Sequence, residues 1–400
     1  RGYFNGHQRM KITANSQTLE QVTKTLSTII IVEVISMFFV QDVVIMAAGA
    51  NLATTLSVFI SFSYLYRYYK FKKSDISVEM PEVCEEPSYA KKSTKEIIKS
   101  IIAISIPISV SSLVSAVNKS IDSITAVRGL KTFLSDEIAK FQFGIYTGKV
   151  DVLVGLPLSF NIAFATVLVP SISKLMAQKK KEDANKVVKF SLLATILIGL
   201  PCTFGMMVFA EQILKLLYPN APEGAQLLQI TSLTIILMMM AQTINGVLQG
   251  IGKYRVPATA LALGVIAKFI LNLILIPIPS IGINGVAIGS IVCHIISFSI
   301  GFAVLKRSMK IKFDVNKFLI KPLLATAIMC LISYLAYLLL VQFISWKLSA
   351  IVAIILAVPI YALAVAIMKI LDKEEIYRLP KGELIYKLLV KMKLYPSEVQ

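Results

Sequence analysis

Apolar residues in this chain fall into long blocks separated by short polar segments. Ten blocks stand out, at 22–40, 43–66, 97–117, 147–174, 188–210, 225–248, 256–278, 283–305, 317–341 and 347–370. A helix crossing a hydrocarbon core needs about 20 predominantly apolar residues. The pattern therefore predicts an all-α, polytopic membrane protein with ten spans. Pro107, Pro157, Pro201 and Pro359 lie inside blocks. Membrane helices tolerate proline when neighbours re-satisfy the freed carbonyl, so these positions are packing kinks or hinges. Two other stretches are amphipathic. Residues 130–143 place Leu130, Phe133, Leu134, Ile138 and Phe141 near one helical face, as in a helix lying along the outer membrane surface. Residues 383–393 alternate Leu384, Ile385, Leu388 and Leu389 with Lys387, Lys391 and Lys393. That tail reads as a cytoplasmic interfacial helix drawn to anionic lipid, or as a solvated amphipathic end.

Charge gives the orientation. With alternating spans, one side collects Arg1, Arg9 and Lys11, the cluster from Arg67 to Lys95, the cluster from Lys174 to Lys189, Lys253 and Arg255, the cluster from Lys306 to Lys321, and the basic tail. The other side holds only Lys119, Arg128, Lys131, Lys140, Lys149, Lys215 and Lys347. Cytoplasmic loops carry the excess of Lys and Arg, so both ends of this chain are expected in the cytoplasm.

An internal repeat organises the spans. GYFNGHQRMKITA from Gly2 aligns without gaps with GVLQGIGKYRVPA from Gly246, pairing Gly6 with Gly250, Arg9 with Lys253, Lys11 with Arg255 and Ala14 with Ala258. At the same offset Lys24 falls on Lys268. Six predicted spans separate the copies, and an even number keeps both in one orientation, a parallel repeat about an axis along the membrane normal. The expected organisation is the end of an N-terminal lobe at 1–66, a cytoplasmic linker at 67–96, a C-terminal six-helix lobe at 97–305, an extra helix pair at 306–370 and the tail at 371–400. The second copy follows a fourth helix of its lobe. By symmetry four helices are expected ahead of Arg1, making fourteen in a whole protein.

Composition fits this class. Hydrophobic residues make up 56% and charged residues 16%, with mean hydropathy +0.74, against about 45–50% and about 25% in a soluble domain. The net charge of +18 is spread in clusters between apolar blocks, a membrane-topology pattern that speaks against a nucleic-acid partner. Cys84, Cys202, Cys293 and Cys330 are single and scattered, and His7 and His294 have no ligand-spaced neighbours. No metal site and no cofactor is expected.

At this point the residues resemble a known family. RGYFNGHQRMKITANSQTLEQ is similar to the loop after the fourth helix of the stage V sporulation protein B type of polysaccharide flippase. That family shares a superfamily with MurJ-type lipid II flippases and multidrug MATE transporters. The segments ISIPISVSSLVSAVNKSIDSITAVRGL, FGIYTGKVDVLVGLPLSFNIAFATVLVPSISK, LLYPNAPEGAQLLQ, INGVLQGIGKYRVPA and RLPKG extend the resemblance over essentially the whole chain. Asn5 and Thr13 stand where Gln and Pro are commoner, while the second copy keeps Gln249 and Pro257. The resemblance implies a monomeric flippase that moves a polyprenyl-diphosphate-linked glycan or peptidoglycan precursor by alternating access of two lobes, with membrane lipids as its other partner. The first four helices, which in this family help wall the central cavity, are expected to lie ahead of Arg1.

Ionisable groups in an apolar layer are costly and mark functional sites. Lys119, Asp122 and Arg128 near the outer end of one span, with Lys149 and Asp151 at the start of the next, form a candidate substrate-binding cluster. Three cations against two acids would suit a diphosphate, and Arg128 matches an Arg of the sporulation-type pattern. Ser111, Ser112, Ser115, Asn118, Ser120 and Ser123 point to a helix facing a wet cavity. Glu33 is a candidate proton or sodium site, or a side chain hydrogen-bonded across helices. Lys24 and Lys268 read as residues snorkelling to lipid phosphate near the cytoplasmic interface. Gly2, Gly6, Gly246, Gly250 and Gly252 read as packing and turn positions, because GVLQGIGKY lacks the spacing of a phosphate loop. A MATE-like exporter of organic cations is the main alternative, and would favour carboxylates over cations. A membrane enzyme would need paired acids or a metal motif, and no DxD or HExxH is present.

The charge asymmetry makes a direct prediction. Reporters fused at Lys180 or Arg307 should report a cytoplasmic location, and reporters at Ser135 or Asn220 an external one. A cytoplasmic signal at Ser135 would undo both the span count and the repeat.

Overall fold

A computed structural model describes residues 1–6, 10–38, 43–71, 93–311, 313–377, 382–392 and 394–395. Most of the expected linker, Cys84, His7, Arg9 and Arg378 to Lys381 of the RLPKG motif lie outside the described residues. Among those described every regular element is helical. The chain divides into two compact units, Arg1–Lys92 and Ser93–Gln400.

The first unit contains α1 (Gly2–Gly6), α2 (Met10–Phe38) and α3 (Val43–Phe71). Small residues let α2 and α3 approach closely. Ser16, Ala53, Ser57 and Ser61 are buried, and the Ser61 hydroxyl donates to the Ser16 carbonyl at 3.1 Å. Short polar side chains and close backbones are the usual adhesive between membrane helices. Arg1 donates to the Ser16 and Ser61 hydroxyls at 3.1 and 2.8 Å and pairs with Glu20. Phe4 and Ile12 pack under Tyr64, Leu65 and Tyr68.

The second unit contains α4 (Thr94–Leu130), α5 (Asp136–Ile145), α6 (Asp151–Ala177), α7 (Lys181–Val208), α8 (Ala210–Leu217), α9 (Ala225–Gly250), α10 (Arg255–Leu275), α11 (Asn284–Met309), α12 (Lys321–Leu340), α13 (Trp346–Ile367), α14 (Lys373–Tyr377) and α15 (Gly382–Lys391). Single π-helical turns, Tyr146–Val150 and Asn316–Ile320, lead into α6 and α12. Helix α9 is the hub, packed against α6, α7 and α11. It is buried on nearly every side, as its all-round apolar sequence requires. One core gathers Leu130, Leu153, Leu214, Ile235 and Ile276, and a second gathers Ile172, Leu192, Ile244, Leu248 and Leu305. The α12–α13 hairpin docks on α7 through Leu193, Ala325, Ala364 and Ile370.

Helices stand at all ten expected places, and eight are long and apolar enough to cross a membrane: α3, α4, α7, α9, α10, α11, α12 with its leading turn, and α13. Helix α2 is not among the eight, and carries Glu20, Lys24 and Glu33 along its length. Within α6, three side chains (163, 166 and 167) lie outside the described set, and Leu168–Ala177 registers as a shorter apolar helix. Helix α4 runs to Leu130, well past the expected end at 117. Its 37 residues would extend about 55 Å at about 1.5 Å per residue. Within this polar run the Ser112, Ser115, Ser120 and Thr125 hydroxyls are satisfied on the helix itself, each donating to the carbonyl four residues back. The expected surface helix at 130–143 is split. Leu130 is fully buried, a turn carries Phe133 and Leu134 inward, and only from Asp136, after the Ser135 cap, do Ile138 and Phe141 face outward.

Two devices hold the spans together. Asn161 of α6 donates to the Met239 carbonyl at 2.9 Å and to Gln242 Oε1 at 3.0 Å, beside the Thr195–Thr243 hydroxyl contact at 2.7 Å. This joins α6, α7 and α9 through paired polar groups rather than orphaned ones. The second device is glycine. Gly246 and Gly250 bring α9 against Ala165 and Ile172 of α6, and Ser173 donates to the Gly250 carbonyl at 3.0 Å. Gly252 then takes φ +82 in the turn that follows. A Cβ at Gly264 of α10 would collide with the Cys293 carbonyl of α11, which is backbone and cannot swing away. Gly264→Ala should therefore force α10 and α11 apart and cost about 1–3 kcal/mol, read as lowered thermal stability of the purified protein. Gly205→Ala, whose added carbon would meet only the Met329 methyl at 3.9 Å, is the control expected to leave stability unchanged.

Candidate functional site

Helix α4 presents Asn118, Lys119 and Asp122 on one face, as their i, i+3 and i+4 spacing dictates. Opposite stand Tyr146 and Thr147 of the π-helical turn, Asp151 of α6, Thr231 and Thr234 of α9, Lys268 of α10, and Ser290 and His294 of α11. Together they line a cavity of about 120 Å³ within the second unit. It has room for several waters, with Lys119, Asp122, Asp151 and the threonines as polar partners for them.

The centre of the site is an ion pair. Lys268 Nζ donates to Asp122 Oδ2 at 2.6 Å, and Lys268 is the largest fully buried side chain among those described. Asn272, one turn along α10, donates to Asp122 Oδ1 at 3.2 Å and to Thr125 Oγ1 at 3.0 Å. Gly289 of α11 leaves the room that Asn272 occupies, since a Cβ there would collide with its amide oxygen. Breaking such a buried pair from one side typically costs about 3–5 kcal/mol, because the remaining charge is left uncompensated. By contrast Lys119 and Asp151, 3.7 Å apart, are well exposed, and a pair of that kind contributes about 0–1 kcal/mol.

The cavity thus unites three of the expected residues, Lys119, Asp122 and Asp151, and omits two. Lys149 turns away to donate to the Ala221 carbonyl at 2.5 Å, 3.4 Å from Glu223 and 5.5 Å from the centre of the Tyr218 ring. It fastens the loop at 218–223. Arg128 is exposed, outside the cavity lining, and without an ion-pair partner among the described residues. Glu33 is exposed on α2 and makes no hydrogen bond among the described residues. The expected positive bias is not present in the lining, where Lys119 and Lys268 face Asp122 and Asp151.

Lys268 is the residue that the sequence reading misplaced. It lies 1% exposed, paired and well along α10 from Arg255 at the start of that helix, whereas Lys24 at the equivalent place of the repeat is exposed. Snorkelling needs a lipid-facing stem, and Asp122 offered the ammonium a closer counter-charge. The signal was the isolated Lys268 with Asn272 four residues on, inside an otherwise apolar run. Among the described residues no cluster of His, Cys, Asp and Glu could hold a metal ion.

Comparison with known proteins bears on this arrangement. Residues 1–176 match the family model described as polysaccharide biosynthesis protein, and residues 144–274 match MatE. The lipid II flippase MurJ of Bacillus subtilis is 26% identical over 311 residues, 77% of this chain and 56% of that one. Stage V sporulation protein B of the same organism is 24% identical over 386 residues, 95% of this chain and 71% of that one. The chain therefore spans little more than half of that MurJ. A solved lipid II flippase MurJ in an inward closed conformation superposes with a TM-score of 0.57 at 17% identity, covering 88% of this chain and 66% of that one. The chain is a multi-pass membrane protein and a homologue of MurJ and stage V sporulation protein B, with the helical fold of the former.

Proposed function

We propose that this chain is part of a flippase that carries a lipid-linked saccharide or peptidoglycan precursor across the cytoplasmic membrane by alternating access, without making or breaking a bond. The observation that carries the reading is similarity to MurJ and to stage V sporulation protein B along 77% and 95% of the chain. Residues 1–66 then belong to an N-terminal lobe and 97–305 to a C-terminal lobe related to it by the parallel repeat, with 306–370 as an added pair. Such lobes rock about a site near the bilayer midplane. A polar head group crosses between them while its polyprenyl tail stays in lipid.

In this reading Lys119, Asp122, Asp151 and Lys268 meet the head group at the cavity, Arg128 is a cation at its outer approach, and Lys149 shapes the loop beside it. A MATE-like exporter of organic cations is the second reading, favoured by the MatE match at 144–274 and by Asp122 and Asp151 in the cavity wall. The two diverge on depletion of the whole protein. A flippase leaves a lipid-linked intermediate accumulating on the cytoplasmic face, whereas an exporter leaves lipid intermediates normal and raises sensitivity to cationic drugs.

Two sets of variants, made in the whole protein, follow. Lys268→Ala strands the Asp122 carboxylate and should lower stability by about 3–5 kcal/mol. The neutral pair Asp122→Asn with Lys268→Met should recover most of that stability, yet not transport. Recovery of growth together with stability would reduce the pair to a packing feature. At the outer approach, Arg128→Ala should weaken substrate engagement by roughly ten- to hundred-fold, the effect of losing a charge-assisted hydrogen bond of about 1.5–3 kcal/mol. Arg128→Lys should restore only part of it, since an ammonium lacks the planar fork. Equal growth of all three forms, normalised to membrane level, would retire Arg128 from the site.

A further inference from the structure

The end of the chain is docked rather than trailing. Ile370, just past α13, is fully buried in the core shared with α7 and α12. Lys317, in the turn leading into α12, donates to Asp372 at 2.5 Å and to Glu375 of α14 at 2.8 Å, and the Tyr395 hydroxyl donates to the Leu371 carbonyl at 2.7 Å. Tyr386 of α15 packs between Tyr377, tilted against it, and Tyr395, edge-on to it, with ring centres 5.4 and 6.0 Å away. Gly382 lies so close to the Ile376 carbonyl that no Cβ would fit. The orientation of α15 is thereby fixed relative to the spanning pair α12–α13.

Helix α15 has three faces. One, with Gly382 and Tyr386, is buried against α14. A second carries Glu383, Lys387 and Lys391, with Lys387 bonded to Glu383 at 2.7 Å. The third brings together Leu384, Ile385, Leu388 and Met392 through i, i+4 and i+8 spacing, and they are 58%, 37%, 60% and 50% exposed. A stripe of that kind, fixed in place and bordered by lysines, is unfavourable in water and favourable at the level of lipid head groups. Helix α13 ends a short way upstream, so α15 sits near a membrane surface. The excess of lysine and arginine identifies that surface as the cytoplasmic one.

We propose that the Leu384–Leu388–Met392 face of α15 is a lipid-binding surface, seated in the head-group region of an anionic leaflet with Lys387 and Lys391 at its edge. Anionic lipid strengthens the seat by roughly fivefold per lysine. The inference stands apart from the transport reading, because it uses none of the cavity residues.

The test places a nitroxide at Leu388→Cys in the full chain, with Cys84, Cys202, Cys293 and Cys330 replaced by Ala. The chain is reconstituted in phosphatidylcholine vesicles with and without phosphatidylglycerol. Leu388 is exposed, so the label does not disturb the docked face. A buried label collides with dissolved oxygen more often than with an aqueous nickel chelate. That ratio should favour oxygen in the anionic vesicles and fall towards the chelate in the neutral ones, while a label at Glu383→Cys stays chelate-accessible in both. Chelate access at Leu388 in both vesicles overturns the proposal, as does equal immersion in both. Spin–spin broadening at Leu388 that disappears on dilution with unlabelled chain also overturns it, because a second copy would then be the cover.

Discussion

The second unit is organised around one buried charge pair. Taking an ammonium and a carboxylate out of water is costly for each, and only mutual contact with further hydrogen bonds makes it tolerable. Asp122 receives Lys268 on one oxygen and Asn272 on the other, and Thr125 takes the remaining amide proton. Three helices must sit correctly for this to happen. Helix α4 brings the carboxylate, α10 brings both donors, and α11 brings the glycine that makes room for Asn272. The packing of α4 against α10 is thus joined to a polar requirement that no lipid contact can satisfy. The pair forms part of the cavity wall.

Two positions matched by the sequence repeat differ in environment. Lys24 and Lys268 stand at matched places, yet one is exposed on its helix and the other is enclosed. The glycines differ as well: a Cβ at Gly2 would meet nothing within 4 Å, whereas one at Gly246 would meet the Ala165 carbonyl at 3.0 Å. Side-chain environment follows the neighbours, and only the second copy has an Asp122 within reach.

Much of this was legible in the sequence, for definite reasons. Apolar blocks mark helices because hydrocarbon admits only backbones that bond to themselves, and the six blocks from 188 to 370 reappear as α7 and α9 to α13 with small changes of boundary. Gly246 and Gly250 could be read as packing residues from their spacing. Three of five cluster residues could be placed together because helical periodicity relates Lys119 to Asp122, and Asp151 opens the next span. What the sequence withheld depended on partners distant in the chain. Lys149 found the carbonyl of Ala221, and Lys268 found Asp122, neither of which local spacing reveals. The true end of α4 was hidden because serine-rich polarity resembles a loop until its hydroxyls turn back onto the helix.

The separation of 146 positions between Asp122 and Lys268 also has a meaning in time. A ribosome adding about 5–20 residues per second needs roughly 7 to 30 s to reach the lysine after making the aspartate. Throughout that interval Asp122 lacks Lys268, and Lys119, about one turn away on α4, is the nearest cation on its own helix. The end of α4 that carries the carboxylate must wait at the water interface until α10 arrives. The last turns of α4 therefore settle late, and biosynthesis of this unit closes on the joining of an early helix to a much later one.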